Sequence, residues 1–317
     1  MNNNAPITIV LPVRDRAQVV GRALESFERQ TFRPLNVVIV DNGSTDLTLE
    51  IVEKWRRRAE ADEFKVTVVS EMRSGASAAR NRGLREVESV YVMFFDSDDE
   101  MLPRHVELAA AYLKAKPDTD ILRWDTGILD PDGWLKVKSP RFHDEWLLHL
   151  MHGTLATQRW VARTSLLRSL GGWDENLPVW NDLELGCRMI ASGAVMRKLN
   201  GEPTVRIHPQ TDSITGTDYN SRAAGHRAAL DRIESLINRD EHPERVLMVR
   251  GKRAILAGLY RREKARDKAD AMRREALRGL RRMPRLKLRL IEKTVALWGR
   301  GGAAMALQML GGKAPKS

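Results

Sequence analysis

The 317-residue sequence predicts an α/β protein with a mainly parallel β-sheet flanked by helices and a C-terminal helical extension. Three observations carry this. Short, near-continuously apolar runs at residues 7–12, 36–41, 65–70 and 91–95 alternate with segments of helical period, as expected of parallel strands buried on both faces. Asp41, the Arg73–Arg80 segment and Asp96–Asp99 all fall at the carboxyl ends of such runs, where open α/β sheets bind ligands. The net charge of +11 is uneven: residues 226–317 carry +14 and residues 1–225 carry −3. That step sets a boundary near residues 215–225 and divides the chain into a domain over 1–220 and a basic extension over 221–317.

Taken in order, Ile7-Thr-Ile-Val-Leu-Pro12 is a short buried strand, followed by an amphipathic helix over about 17–30 with Val20, Ala23, Leu24 and Phe27 on one face. The strand Asn36–Asp41 ends in Asn42-Gly-Ser-Thr-Asp46, a glycine turn that offers Thr45 or Asp46 as cap to a helix carrying Leu49, Ile51, Val52 and Trp55. A strand over 65–70, a helix over 77–87 and the strand Tyr91–Phe95 repeat the pattern. A helix follows Pro103, and residues 120–138 read as a hairpin turning at Pro131-Asp-Gly133. Residues 139–160 have no clear period. Residues 171–193 form a glycine-rich loop entering a helix, Thr204–Ile207 is a strand leading to His208, and the remainder is helical to the end.

No run approaches the roughly 18 apolar residues of a membrane span, and the N-terminal Met-Asn-Asn-Asn-Ala-Pro lacks the form of a secretory signal. The single cysteine, Cys187, allows no internal disulfide. Together these predict a cytoplasmic protein.

The chemistry centres on Tyr91-Val-Met-Phe-Phe-Asp96-Ser-Asp98-Asp99, where an apolar strand runs into three carboxylates within four positions. Such carboxylates repel one another unless a cation lies between them, and a hard divalent ion with a bound phosphate suits oxygen ligands. Asp and Ser after a strand also make ordinary turns and helix caps. The neighbouring motifs decide between the two. Leu11-Pro-Val-Arg-Asp15, Val40-Asp-Asn-Gly-Ser-Thr-Asp46, Gly75-Ala-Ser-Ala-Ala-Arg-Asn-Arg-Gly83, Phe95-Asp-Ser-Asp-Asp99, Gly171-Gly-Trp-Asp-Glu175 and Asn181-Asp-Leu-Glu184 occur in this order over residues 5–215. In order and spacing they resemble the family 2 glycosyltransferases of the GT-A fold, whose sheet is Rossmann-like.

The resemblance implies inverting transfer of a sugar from a nucleotide-diphosphate sugar, with a UDP-sugar as the expected donor, to a hydroxyl of a glycan or lipid-linked acceptor in polysaccharide biosynthesis. It makes Pro12, Asp41, Arg80 and Asp96 nucleotide-binding, Asp98 the ligand of Mn2+ or Mg2+, and His208 a further metal or phosphate ligand. Asn42 departs from the family's pair of acids and leaves the base open. Arg80 lies in a small-residue helix start suited to an anion, with a salt bridge to an acid such as Glu86 as its alternative. Inversion needs one base on the face opposite the leaving group, and the resemblance assigns it to Asp182. Asn181-Asp-Leu-Glu184 also reads as a helix cap with Glu184 at the capping-box position. Trp173, Asp174 and Trp180 are acceptor-side candidates, their aromatic faces suiting sugar rings and equally suiting a core.

In the extension, Leu286, Leu290, Ile291, Val295 and Trp298 are spaced as an apolar stripe among many Arg and Lys. Such a helix packs on the protein with a solvated basic face, or lies on an anionic membrane; no motif supports nucleic acid. Other functions compatible with the motifs are a sugar-phosphate nucleotidyltransferase, whose Gly/Lys-rich phosphate loop is missing near the first strand, and a non-catalytic nucleotide-sugar or glycan-binding module.

Overall fold

The computed structural model describes residues 6–60, 63–130, 133, 135–137, 144–209 and 218–299. Residues 1–5, the first two residues of the Pro131-Asp-Gly turn and the end of the chain beyond Gly299 lie outside them.

The predicted alternation is present as β1 (Ile7–Val13), α1 (Val20–Glu28), β2 (Leu35–Asp41), α2 (Thr48–Ala59), β3 (Phe64–Ser70), α3 (Ala76–Glu86) and β4 (Tyr91–Phe94). Then come β5 (Glu100–Met101), α4 (His105–Ala115), β6 (Ile121–Arg123), β7 (Gly127–Leu129) and β8 (Leu135–Val137). The stretch without clear period holds α5 (Glu145–His152), a 3-10 turn over Thr157–Arg159 and β9 (Trp160–Arg163). α6 (Thr164–Ser169), α7 (Asn181–Ala191), β10 (Met196–Lys198) and β11 (Val205–Ile207) lead into four helices, α8 (Ala223–Ser235), α9 (Pro243–Arg262), α10 (Arg266–Leu277) and α11 (Arg282–Trp298).

A seven-stranded sheet has the order β10-β6-β9-β4-β1-β2-β3. All its pairings are parallel except those of β9, which runs antiparallel to both β4 and β6. A second sheet has the order β5-β11-β7-β8. The expected hairpin is therefore shorter than its sequence pattern. Only β7 and β8 pair as its arms, with Leu129 opposite Leu135, whereas Ile121–Arg123 joins the large sheet. The reason is burial: Ile121 and Leu122 are fully enclosed, a place that a two-stranded ribbon does not offer.

Ile9, Leu11, Val37, Ile39 and Met93 from the strands meet Leu24, Phe27, Val52 and Trp55 from α1 and α2 in the main core. On the other face α3 rests on β1 and β2 through Gly83, where an added Cβ would lie 2.3 Å from Val10 Cγ1 and 3.1 Å from Val40 Cγ2. Gly83→Ala is accordingly expected to lower stability by about 1–3 kcal/mol, since overpacking forces backbone shifts; urea unfolding measures it.

The chain forms two compact units, one of residues 1–139, 154–176 and 193–211, the other of 140–153, 177–192 and 212–317. They do not follow the expected boundary near residue 220. α5 and α7 fall with the C-terminal helices because their apolar sides (Trp146, Leu147 and Leu150; Leu183 and Cys187) close a core with Leu230, Ile233, Val249, Leu256 and Tyr260. The predicted stripe on the last helix divides. Ile291 and Val295 are buried against α9, while Leu286, Leu290 and Trp298 stay exposed. Among the described residues no helix is long and apolar enough to cross a membrane.

Candidate functional site

β4, β1 and β2 lie side by side and parallel, so the turns after them emerge at one edge of the sheet in the first unit. Pairing of β4 with β1 ends as Phe95 N–H donates to the Val10 carbonyl at 3.0 Å. Pro12, two residues on, has the same orientation as Val10, so its missing N–H falls on the side where β4 has already left the ladder. A proline is tolerated there without an unpaired acceptor. The turns after β1 and β2 are knitted together: Asp15 accepts from Thr45 N–H at 2.8 Å and donates its own N–H to Ser44 Oγ at 3.1 Å. Neither cap candidate is the N-cap of α2, which is Leu47 with no side-chain cap bond; Asp46, one residue earlier, accepts from Thr48 N–H at 2.9 Å, while Thr45 is committed to Asp15.

At the end of β2, Asp41 is buried and accepts from Ser44 N–H at 3.2 Å, which leaves a carboxylate acceptor capacity for a further donor. Asn42 has a different task. Its Nδ2 donates to the carbonyls of Glu71 (2.7 Å) and Arg73 (2.8 Å), and its Oδ1 accepts from Gly75 N–H at 2.9 Å. Gly75 sits at φ +128°, open only to glycine, and this turn starts α3. An amide satisfies two acceptors and one donor at once, which a carboxylate does not. Asn42 is thus fitted to this turn through both ends of its amide. Asn42→Asp is expected to destabilise the protein by about 1–3 kcal/mol, because the charge would face two buried carbonyls; the midpoint of urea unfolding checks it. Beside it Glu71 is held at about pKa 2 by the Arg73 side chain and backbone N–H, with Arg85 adding to the effect.

Arg80 projects from α3 and is buried, with Nη2 3.0 Å from Asp96 Oδ1. Its partner is thus Asp96; Glu86, the alternative from sequence, bonds Arg82. The guanidinium lies 5.7 Å from the centroid of the Trp173 ring. Trp173 itself is 2% exposed and packs on Phe94 and Trp160, so it forms a wall beneath Arg80 and offers no face to a sugar. Burial of its large ring against two other aromatics is the physical reason. The Trp173 backbone is clamped by Asn81, which exchanges two 2.9 Å bonds with it. Asp174 accepts from Asn176 N–H at 2.9 Å and shapes the same loop.

The three carboxylates after β4 have separate environments. Asp96 and Asp98 are half-buried, and Arg22 donates to the Asp98 backbone carbonyl at 2.9 Å. Asp99 is buried, accepts from Gln158 Nε2 and from His208 N–H (2.9 Å), and has its pKa pushed up to about 8 by burial, with the Asp96 and Asp98 charges adding to it. Asp99 therefore ties β11's end to the turn before β9. The His208 imidazole lies 3.5 Å from Glu100 Oε2 and is held below its usual range by burial and the Arg22 charge, in the neutral form that a metal ligand needs. Among the described residues no three His, Cys, Asp or Glu side chains converge around a cation position. Asp96 and Asp98 instead fit the mode in which one or two carboxylates and substrate phosphates share a divalent ion.

Asp182 and Trp180 belong to the second unit. Trp180 caps α7 in the left-handed region (φ 58°, ψ 25°) and packs against His226, ring centroids 4.4 Å apart. Asp182, in the first turn, donates its N–H to Asn181 Oδ1 at 2.8 Å. The capping-box reading fails: Glu184 is fully buried and reaches forward to Arg188 through two bonds of 2.7 and 2.6 Å. A charged partner one turn on outcompetes a backbone N–H.

Sequence reasoning missed Glu71, Gln158 and Arg22. Glu71 was open to notice, one residue beyond the strand end at Ser70; Gln158 lies in the stretch without clear period, and Arg22 reaches the site from within a helix.

The match to known proteins agrees with this geometry. Residues 8–165 match the model of glycosyl transferase family 2. The uncharacterized glycosyltransferase YibD of Escherichia coli K12 is 32% identical over 172 residues, 51% of this chain and 47% of YibD. The poly(ribitol-phosphate) beta-N-acetylglucosaminyltransferase TarS of Staphylococcus aureus Mu50 is 32% identical over 108 residues, 33% of this chain and 18% of TarS. The chain thus spans less than half the length of these curated relatives. In fold, it superposes on the crystal structure of S. aureus TarS 1-349 in complex with UDP-GlcNAc with a TM-score of 0.74 at 17% identity, covering 96% of this chain and 89% of that one. The mannosyltransferase PcManGT from Pyrobaculum calidifontis in complex with GDP-Man and Mn2+ gives 0.55 at 19% identity, covering 96% and 84%. With the parallel sheet, the acidic strand end and the ordered motifs in place, the chain belongs to the family 2 glycosyltransferases and has the GT-A fold.

Proposed function

We propose that the protein is a metal-dependent inverting glycosyltransferase that moves a sugar from a nucleotide-diphosphate sugar, in the first instance a UDP-sugar, to a hydroxyl of a glycan or lipid-linked acceptor in polysaccharide biosynthesis. The reading rests on one observation above others: Asp41 and Asp96 lie at the ends of β2 and β4 on the same edge of a parallel sheet, and Arg80 of α3 pairs with Asp96 there. A base and ribose bind between such strand ends. Pro12 and Asp41 hold the base, with Asp41 accepting from an imide N–H, and Asp96 the ribose. Asp98 with Asp96 would hold Mn2+ or Mg2+, and His208 a phosphate or the same ion; a divalent cation there supplies Lewis-acid stabilisation of the departing diphosphate. UDP-GlcNAc in the TarS crystal supports a uridine donor, and GDP-Man with Mn2+ in PcManGT supports a metal while keeping guanine in view.

In the transfer step Asp182 takes the proton of the acceptor hydroxyl as its oxygen bonds to the anomeric carbon. The bond from that carbon to the diphosphate breaks on the opposite face, and its electron pair leaves with the diphosphate. Asp174 and Trp180 are carried as acceptor-side residues. The basic extension over 221–317 brings the enzyme to the inner face of an anionic membrane, where lipid-linked acceptors lie. No nucleic-acid partner is expected.

Incubation with a panel of nucleotide sugars, with and without Mn2+, tests the reading. Metal-dependent release of nucleoside diphosphate is expected, abolished by chelation. Release of pyrophosphate from a nucleotide and a sugar phosphate would instead identify a nucleotidyltransferase, and binding without turnover of any donor and acceptor would identify a binding module.

A further inference from the structure

α11 has two faces of opposite character. One buries Leu288, Ile291 and Val295 against Ala254 and Ile255 of α9, and the close approach of the two helices at Gly258 fixes it there. On the other, Met283, Leu286, Leu290 and Leu297 are 73, 62, 50 and 68% exposed. Their spacing of three, four and seven residues sets them in one line along the helix. Trp298, the next residue, is 60% exposed beside the row at the C-terminal end of the helix. Large apolar side chains in such a row are uncommon on a surface that faces only water. Arg282, Arg285, Arg289 and Lys293 are all exposed and border the row on one side. The only acid of the helix, Glu292, is buried and bonded to Arg261, so the exposed face is purely cationic and apolar.

From this we infer that the outward face of α11 is a docking surface for an anionic lipid bilayer, with Met283, Leu286, Leu290, Leu297 and Trp298 inserted at the headgroup level and the bordering Arg and Lys against lipid phosphates. The charge selects this occupant. A second copy would bring two rows of like charge together, whereas an anionic surface neutralises them, at about fivefold in partitioning per basic residue. The inference rests on the peripheral placement proposed above and assigns it to one helix face.

Cosedimentation of the full chain with vesicles of equal parts phosphatidylglycerol and phosphatidylcholine, against phosphatidylcholine alone, is the test. Binding only to the anionic vesicles is expected, weakened in about 1 M salt, where the Debye length is near 3 Å. Leu286→Glu with Leu290→Glu should weaken it by on the order of tenfold or more, and Arg289→Glu with Lys293→Glu should weaken it and flatten its salt dependence. Nucleoside diphosphate release in both variants should equal that of the parent, which shows that they fold and separates this inference from the transfer reaction. Wild-type binding unaltered by either pair would overturn the assignment of this face while sparing peripheral placement; no binding to anionic vesicles would overturn both. A dimer in light scattering dispersed by the Leu pair would give the face to a second copy. Binding that appears only after removal of residues 300–317 would give it to that segment.

Discussion

Asp98→Ala is expected to lower metal-dependent release of nucleoside diphosphate by about 10²–10³-fold, since a metal ion contributes several kcal/mol to stabilising the leaving charge. The side chain is half-buried at the strand end, while the turn is held by Arg22 on the Asp98 backbone carbonyl, a contact that alanine keeps. The variant should therefore fold, bind free nucleoside as the parent does, and lose the Mn2+-dependent stabilisation against thermal unfolding expected from nucleoside diphosphate. The adjacent Asp99→Asn is the discriminating comparison. The Asp99 side chain is buried and committed to Gln158 Nε2 and His208 N–H. A neutral amide accepts from His208 N–H as that acid does, and release should fall by no more than about tenfold. Equal losses in the two variants would refute the separation of a cation ligand from a buried tie.

For Asp182→Asn, a fall of on the order of 10²–10⁴ in the transfer rate is expected, the range that a positioned general base contributes. Asparagine preserves the shape of the first turn of α7 and its backbone bond to Asn181, and it cannot take a proton. Donor binding and the Mn2+-dependent protection by nucleoside diphosphate should be unchanged. A loss in kcat with an unaltered donor KM separates lost chemistry from lost binding. Full transfer activity would move the base elsewhere.

The alternation of apolar runs and helical periods made the parallel half of the sheet legible in the sequence, because β1, β2 and β4 are almost wholly buried and read as near-continuous apolar runs, while the edge strand β3 keeps the β-branched residues of a partly covered strand. β9 escaped notice. It is four residues long, inserts antiparallel between β4 and β6, and draws its partners from distant sequence. The acids at the strand ends were legible as a group, but their environments were not. Nothing in Asp96-Ser-Asp-Asp says that Asp99 is enclosed by Gln158 and the His208 backbone. The capping-box pattern at Asn181–Glu184 misled because local spacing is blind to Arg188 competing for the same carboxylate. For Trp173 the sequence leaves sugar platform and core equally open, and packing on Phe94 and Trp160 places it in the core.

The passage of the chain back and forth between its two compact units bears on how such a protein can be inherited. A helical segment appended after a catalytic domain can be gained, lost or exchanged by one recombination event. Here α5 and α7 are encoded inside the stretch that builds the sheet, and their apolar sides are covered by helices encoded after residue 220. A gene cut at that point leaves Leu147, Leu150, Leu183 and Cys187 without the residues of α8 and α9 that enclose them. The basic helices are therefore not a detachable accessory, and change in them is constrained by residues in the middle of the gene.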